Sequence, residues 1–428
     1  MNKNILVITY WSYKEGLIQT YTLPYLKIIS KHLRPEQKIF LVTFEKDNLK
    51  LNGEERTKAV GKLKQNNIYW MPFQYGKPGL GTYFTLALNF LRLFVTLFKN
   101  QISHIHTFCT PPGALGYLLS IFSGRKLILD SFEPHADNME EIGHWDKSGL
   151  KYKVLHWLEN RQLRRAEYVI CTTQGMYQYA KDTYHYEIPS QSSFVKPACV
   201  NLDLFYPISI EERQEKRKAL NLEGKVVAVY AGKLGGIYYD IEVFELLKTA
   251  YDFWEGNFVF LMLTNTPRED IDAFAKKVGL DPAIIISKFV SHHEVADYLS
   301  LGDFGITPVK SVPTKRYCTP IKDGEYWALG LPIIITPNIS DDSEIVHEYD
   351  IGSVIPSLDK RGYLAAIRKI NVLLNGPKEE IQQKIRKVAV QYRSFEIAEH
   401  IYKTIYGDSQ KKSFLEDIPL EPQTVSSN

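Results

Sequence analysis

The sequence predicts an α/β protein built of two doubly wound, parallel-sheet domains in tandem, and three observations carry that reading. Short β-rich runs alternate with helical stretches; the alternation is interrupted once, near residue 200; and a second set of alternating runs follows. Strands separated by helices build parallel sheets, because a parallel pair needs a crossover long enough to hold a helix.

In chain order, the first predicted strands are Ile5–Thr9, Lys38–Phe44, Ile68–Met71, His104–His106, Lys126–Asp130 and Tyr168–Thr172. They are mostly rich in β-branched or aromatic residues, and all are of strand length. Phe194–Val200, Asn201–Pro207 and the charged helical run Glu211–Lys218 mark the linker. The second set is Lys225–Tyr230, Phe258–Leu263, Ile284–Ile286, Asp303–Ile306, Leu331–Ile335 and Gly352–Ile355. Ile241–Ala250, Arg268–Val278 and His293–Leu301 supply crossover helices. From Lys378 a long helical stretch reaches about Tyr406, and the polar tail from Ser409 reads as mobile. The predicted division is 1–200, 201–390, a helix at 391–408 crossing back to the first domain, and a tail at 409–428.

Composition agrees with large soluble cores: 428 residues, 44% hydrophobic and 24% charged. A net charge of +3 argues against wholesale wrapping of nucleic acid. The four cysteines, Cys109, Cys171, Cys199 and Cys318, lie far apart without a CxxC pair, which suggests neither a zinc knuckle nor a disulfide framework. A reducing cytoplasm is the simpler compartment, and the short apolar run Ile5–Ile8 reads as a strand rather than a signal peptide.

From Tyr83 to Phe98 the chain is mostly apolar, but Thr85, Asn89, Arg92, Thr96 and Lys99 recur at helical spacing and draw one polar stripe. The stretch is therefore amphipathic, not membrane-spanning: a helix packed on the sheet, with a bilayer-lying helix as the alternative. Basic residues gather at Arg56, Lys58, Lys62 and Lys64, and at Lys151, Lys153, Arg161, Arg164 and Arg165, with Trp145, Tyr152 and Trp157 nearby. Such patches suit either solvated helix faces or an anionic bilayer.

Tandem doubly wound domains set the carboxyl ends of two sheets opposite one another, so the cleft between them is the expected site. Three stretches of the second half belong there. In Tyr230–Asp240, Gly232, Gly235 and Gly236 lie between a strand and a helix, where glycine permits close approach and the helix start offers N–H groups to a phosphate. A tight strand-to-helix turn explains the same glycines. Thr319–Pro332 reads Thr-Pro-Ile-Lys-Asp-Gly-Glu-Tyr-Trp-Ala-Leu-Gly-Leu-Pro before a buried strand. Thr336–Val346 follows that strand, and its Asp341, Asp342 and Ser343 can cap a helix.

Together these stretches resemble the family 4 glycosyltransferases, which have the GT-B fold of two Rossmann-like domains facing a central cleft and use nucleotide sugars, usually with retention. The resemblance covers most of the chain and is strongest from Val195 to Ile355. It implies that Gly232, Lys233, Gly235 and Gly236 surround the donor diphosphate, with Lys233 where the family commonly has Arg and Tyr238 and Tyr239 near its usual Lys. Glu325 falls on the family's ribose-binding Glu, while Tyr317 occupies the place of its sugar-binding Glu. Thr319, Pro320, Lys322, Glu325 and Tyr326 match a family variant reading Ser/Thr-Pro-x-Lys-x-x-Glu-Tyr, and Lys322 becomes the expected phosphate contact. Lys288, Phe289 and Val290 are expected beside the nucleobase, with uridine, guanosine and thymidine all open; Ser340, Asp341 and Asp342 are expected near the donor sugar.

In the first half, Leu129–Asp137 leaves a strand at its carboxyl end, and His135 is the expected contact to the transferred sugar. Asp130, Glu133, Asp137, Glu140 and Glu141 are rivals, and the loop carrying Trp11, Glu15 and Gly16 is placed on the acceptor side. No metal site is indicated: Asp270 and Asp272 read as acidic residues near a helix start, and GT-B enzymes generally dispense with the divalent ion. No cofactor is expected beyond the sugar donor.

The expectation is a hexosyltransferase moving sugar from a nucleoside-diphosphate sugar to a glycan or lipid-linked acceptor. It would serve bacterial surface polysaccharide synthesis in the cytoplasm, either free or held on the inner membrane. An epimerase acting on UDP-N-acetylglucosamine and a non-catalytic partner subunit are the alternatives.

Overall fold

The structure, a computed structural model, describes residues 4–76 and 80–407; the expected mobile tail from Ser409 lies outside them. Its strands are β1 (Asn4–Ile8), β2 (Ile39–Glu45), β3 (Ile68–Gln74), β4 (Ile102–Phe108), β5 (Lys126–Phe132), β6 (Tyr168–Cys171) and β7 (Ser193–Val195), then β8 (Val226–Ala231), β9 (Phe258–Leu263), β10 (Ile285–Lys288), β11 (Phe304–Thr307), β12 (Ile333–Ile335) and β13 (Gly352–Val354). They form a seven-stranded sheet ordered β3-β2-β1-β4-β5-β6-β7 and a six-stranded sheet ordered β10-β9-β8-β11-β12-β13. Every strand pairing is parallel. β7 is absent from the strands that the sequence predicts: at three residues and on a sheet edge, it has almost no periodicity to read.

Both sheets are apolar on both faces, as covered parallel sheets must be. In the first, Ile5 and Val7 join one core cluster and Leu6 and Ile8 the other. In the second, Val227 and Val229 face one cluster and Ala228 and Tyr230 the other. Strand order reverses beside β1 and β4 in one sheet and β8 and β11 in the other, and ligand crevices of doubly wound sheets open at such points.

The long terminal helix expected from Lys378 is two helices, Lys378–Arg393 and Phe395–Tyr406. Ser394 is extended (φ −65°, ψ 144°), pairs with Val200 across the linker, and caps the second helix by accepting the Glu396 N–H at 3.1 Å. The first helix packs on Ile321–Ala328, and the second buries Ala398, Ile401 and Tyr402 in the cluster of Ile5 and Val7.

The helix Leu80–Lys99 reverses the simple reading of its stripe. Asn89 and Thr96 are buried with Leu93 and Leu97, whereas Leu91, Val95 and Phe98 are 51–60% exposed. Beside them Ile121 and Phe122 of the helix Thr110–Ser123 are exposed too. Among the described residues no helix is long and apolar enough to cross a membrane.

Candidate active site

The glycine turn follows β8 and is fastened to the loop after β11: the Tyr239 N–H bonds the Pro308 carbonyl at 2.8 Å and the Lys310 N–H bonds that of Ile237 at 2.9 Å. Gly235 (φ +74°) and Gly236 (φ +65°) adopt the left-handed conformation the turn requires. At Gly232 a Cβ would stand 2.7 Å from the Tyr230 hydroxyl. Lys233 is exposed at the rim.

This turn carries Tyr238 onto Lys322, whose Nζ donates to the Tyr238 hydroxyl at 3.1 Å and lies 4.2 Å from its ring centroid. Lys322 is only 8% exposed. Its ammonium holds the Tyr238 phenol below the usual range against the opposing effect of burial, and Lys315 and Lys233 act in the same direction. Of the three, Lys322 is the one in direct contact with the phenol.

One helical turn beyond Lys322, Glu325 is buried and has no hydrogen-bond partner among the described residues. Burial pushes its carboxyl up to about 7, with Lys322 pulling the other way. A buried carboxylate without donors is suited to accept hydroxyls from a ligand.

Other residues expected at the donor are placed differently. Tyr326 is wholly buried beneath β11: Gly305 leaves room for its ring, and its hydroxyl accepts the Ala231 N–H at 3.3 Å. It supports the glycine turn from below rather than lining the cleft. Asp342 is wholly buried and receives the Arg393 guanidinium. Asp341, raised to about 6 mainly by burial, lines a cavity of about 420 Å³ together with Ser340, Arg393 and Thr172. Ser340, at φ +50°, donates its N–H to the Lys315 carbonyl at 2.8 Å and its hydroxyl to Thr319 at 3.3 Å. Pro320 precedes the helix Ile321–Ala328 as its N-cap. Lys288 donates to the Tyr298 hydroxyl at 3.3 Å, Phe289 is 82% exposed, and Val290 packs on the second domain's core.

Across the cleft, His135 begins the helix His135–Glu141. Burial lowers its imidazole, against the pull of Glu133, which favours the neutral ring. Its ring lies 6.0 Å from that of Trp145. Glu159, fully buried, anchors this helix by accepting the Ala136 N–H at 2.9 Å and the Tyr184 hydroxyl at 3.0 Å; burial pushes it up to about 8. Asp137, expected on the acceptor side, accepts the hydroxyls of both Tyr152 and Tyr179 and is a brace rather than a free carboxylate. Glu133 accepts the Cys318 thiol at 2.9 Å. Asp130 is sealed in the core with Lys196 at 3.1 Å and Tyr402 at 2.6 Å.

The loop expected on the acceptor side packs its tryptophan inward. Trp11 is 7% exposed within the first domain's core, where its ring is more favourable than in a wet loop. Glu15 pairs with Lys46 at 2.5 Å, and Gly16 is exposed, with open space where a side chain would stand.

Tyr317, at the position of the family's first Glu, points away from the donor corner. Its ring packs 5.1 Å from that of Tyr179, and a Cβ on Gly175 would lie 3.1 Å from it. Glu159 and Lys315 escape sequence reading altogether. Neither sits in a motif, and both are charged residues in charged surroundings whose burial only the fold creates. Among the described residues, no cluster of His, Cys, Asp and Glu is placed to hold a metal ion, and Asp272 pairs with Arg268 at 2.7 Å.

Neither a protein-family model nor a curated protein matches the chain by sequence. Solved structures match by fold. Sucrose-phosphate synthase from Thermosynechococcus elongatus is 15% identical with a TM-score of 0.71, covering 95% of this chain and 98% of that one. HepE from Anabaena, in complex with UDP, is 14% identical with a TM-score of 0.69, covering 95% and 99%. WaaG, a glycosyltransferase involved in lipopolysaccharide biosynthesis, is 13% identical with a TM-score of 0.67, covering 95% and 100%. With two wholly parallel sheets, reversed strand order at the cleft and full-length agreement with these structures, the chain has the GT-B fold.

Proposed function

We propose that the protein is a glycosyltransferase of the family 4 type that takes its sugar from a nucleoside diphosphate. The observation that carries this reading is the buried Lys322 ammonium on Tyr238 of the glycine turn, one helical turn from Glu325, whose carboxyl has no hydrogen-bond partner among the described residues. A diphosphate supplies the negative charge such a cation calls for, and a ribose supplies the adjacent hydroxyls that a carboxylate accepts. The base stands near Lys288, Phe289 and Val290, where the exposed Phe289 ring offers a stacking face.

In the reaction, the bond between the anomeric carbon and the diphosphate oxygen breaks, the acceptor hydroxyl oxygen bonds that carbon, and the hydroxyl proton passes to the departing diphosphate oxygen on the same face. The departing diphosphate takes up the negative charge, which Lys322 and the start of the helix Ile321–Ala328 stabilise. His135, at the start of the helix His135–Glu141 and favoured in its neutral form by burial, holds the transferred sugar. Retention follows from the family resemblance, with the acceptor entering on the face the diphosphate leaves. The acceptor is a glycan, lipid-linked and destined for a bacterial surface polysaccharide. The apolar face of Leu91, Val95, Phe98 and Phe122, with Arg125 5.3 Å from the Phe98 ring, suits contact with an anionic bilayer carrying such a lipid.

Purified protein incubated with UDP-, GDP- and dTDP-sugars should bind at least one and hydrolyse it slowly; neither binding nor hydrolysis with any of them would sink the reading. An epimerised sugar released without acceptor would favour epimerase chemistry on the same fold. Biosynthesis that survives Glu325→Ala and Lys322→Ala but not deletion would favour a partner subunit.

A further inference from the structure

A cavity of about 450 Å³ opens at the amino-terminal edge of the second sheet, where Val226 begins β8, Asp303 precedes β11 and Pro332 precedes β12. Its volume lies in the range of small-molecule sites. The helices Ile210–Ala219, Lys360–Leu374 and Lys378–Arg393 wall it. The glycine turn and Lys322 stand at the opposite, carboxyl edge of the sheet, so the cavity is separate from the donor corner.

The charge around this cavity is unbalanced. Arg213, Lys225 and Lys378 line it against a single carboxylate, Asp303. That carboxylate is already engaged: it accepts from Arg213 at 2.6 Å, from Arg217 at 3.1 Å and from the Val227 N–H at 2.8 Å. Arg213 directs its Nε and Nη2 to Asp303 and to the carbonyls of Ser300, Leu301 and Gly302; among the described residues its Nη1 has no partner, and Lys378 makes no hydrogen bond or ion pair. Partial burial and the two arginines lower the Lys378 ammonium, against the pull of Asp303. Three lining cations against one carboxylate leave two positive charges over, which match a phosphate monoester at about −1.5 to −2 near neutral pH.

The rest of the wall suits a small polar body. Trp254 Nε1 donates to Asn371 Oδ1 at 3.1 Å, which orients that amide and leaves its Nδ2 for a ligand. Asn375 donates to the Asn371 carbonyl at 2.8 Å and keeps its Oδ1 for a hydroxyl. The half-buried Trp254 ring, stacked on that of Phe258 at 5.6 Å, adds a flat apolar surface. Leu329, Gly330 and Leu331 also line the cavity, directly after the helix Ile321–Ala328 that carries Lys322 and Glu325, and Gln382 donates to the Leu329 carbonyl at 3.4 Å.

We propose that this cavity binds a small phosphorylated sugar, its phosphate on Arg213 and Lys378 and its hydroxyls on Asn371 and Asn375, and that the ligand is an effector acting through the end of the helix Ile321–Ala328. The binding site stands apart from the donor-site reading above; only the effector role rests on that reading. A ligand here touches the stretch that follows Lys322 and Glu325 in the chain without reaching the corner where they meet the glycine turn.

The test is calorimetric titration of the full chain with glucose 1-phosphate, glucose 6-phosphate and mannose 6-phosphate, beside glucose, mannose and inorganic phosphate. At least one sugar phosphate should bind with Kd below about 1 mM and about 10-fold or more tighter than its free sugar or inorganic phosphate. Lys378→Met should weaken it by about 10-fold and Lys378→Glu by more, whereas Lys322→Met should leave it within about 2-fold. The Lys378 side chain is exposed and unbonded among the described residues, so both variants keep the fold. No binding by any of the three sugar phosphates, or binding that both Lys378 variants leave unchanged, overturns the site. Loss of binding in Lys322→Met instead puts the sugar phosphate in the cleft and overturns it equally. Inorganic phosphate bound as tightly as the sugar phosphate overturns the sugar. Saturating sugar phosphate should change the affinity for whichever of UDP, GDP and dTDP binds by about 3-fold or more, and no change overturns the effector role. If none of the three diphosphates binds, the donor-site reading and the effector role fall while the binding site is judged on the sugar phosphates alone.

Discussion

The Lys322 ammonium stands 3.1 Å from the Tyr238 hydroxyl and 4.2 Å from the centre of its ring, joining the helix Ile321–Ala328 to the glycine turn after β8 through one charged contact. Two motifs far apart in the chain thereby share a single site. The contact also explains how a buried lysine is tolerated before any ligand binds: the ring face and hydroxyl replace part of its lost hydration.

Lys322→Met is expected to lower kcat by about 100-fold, because in the proposed reaction it removes the charge that stabilises the departing diphosphate. Tyr238→Phe keeps the ring and loses only the hydroxyl, so its effect should stay under about 10-fold. Steady-state rates of donor hydrolysis, measured beside melting temperatures, separate the two.

Glu325 makes stability depend on pH. Its carboxyl is raised to about 7 in the folded protein, above the ordinary carboxylate range, so the folded state binds the proton more tightly than the unfolded chain. That contribution is complete below about pH 4 and is lost as pH rises through 7. Glu325→Gln, which cannot ionise, should therefore be more stable than the unmodified protein at pH 8 by up to about 3 kcal/mol, with the gap closing toward pH 5. Urea unfolding at both pH values checks this, and the same variant should bind nucleoside about 10-fold more weakly.

Arg393 and Asp342 form a buried ion pair where the chain leaves the second domain, with the guanidinium also 5.3 Å from the Trp327 ring. Arg393→Met strands a buried carboxylate and should destabilise by about 3–5 kcal/mol in urea unfolding. Adding Asp342→Asn should recover part of that loss.

Tyr317→Glu would put the family's usual carboxylate back at its position in the sequence. Activity should not rise, because the side chain faces Tyr179 and Gly175; melting temperature should fall as a charge enters that packed contact. Rates and thermal melts on the single variant decide it.

The exposed face of Phe98 and Phe122 predicts binding to vesicles containing anionic lipid. Phe98→Asp with Phe122→Asp should weaken co-sedimentation by about 10-fold with no loss of thermal stability, since both rings are more than half exposed. Equal sedimentation of both proteins would argue against this surface.

The sequence by itself determined the two α/β domains and most of their strands, because apolar runs of strand length separated by helical ones leave few other solutions. It also set Lys322 and Glu325 one helical turn apart, and the helix Ile321–Ala328 keeps them on one face. It did not show that Tyr326 lies beneath the sheet, that Asp342 pairs with Arg393, or that Trp11 is core, since side-chain direction depends on which element packs above. The break at Ser394 was equally hidden: a serine inside a helical run becomes a cap only when Val200 pairs with it from the linker. Lys315 and Glu159 are ordinary charges in the sequence. Only tertiary packing buries them, because burial depends on which elements the fold sets over a side chain.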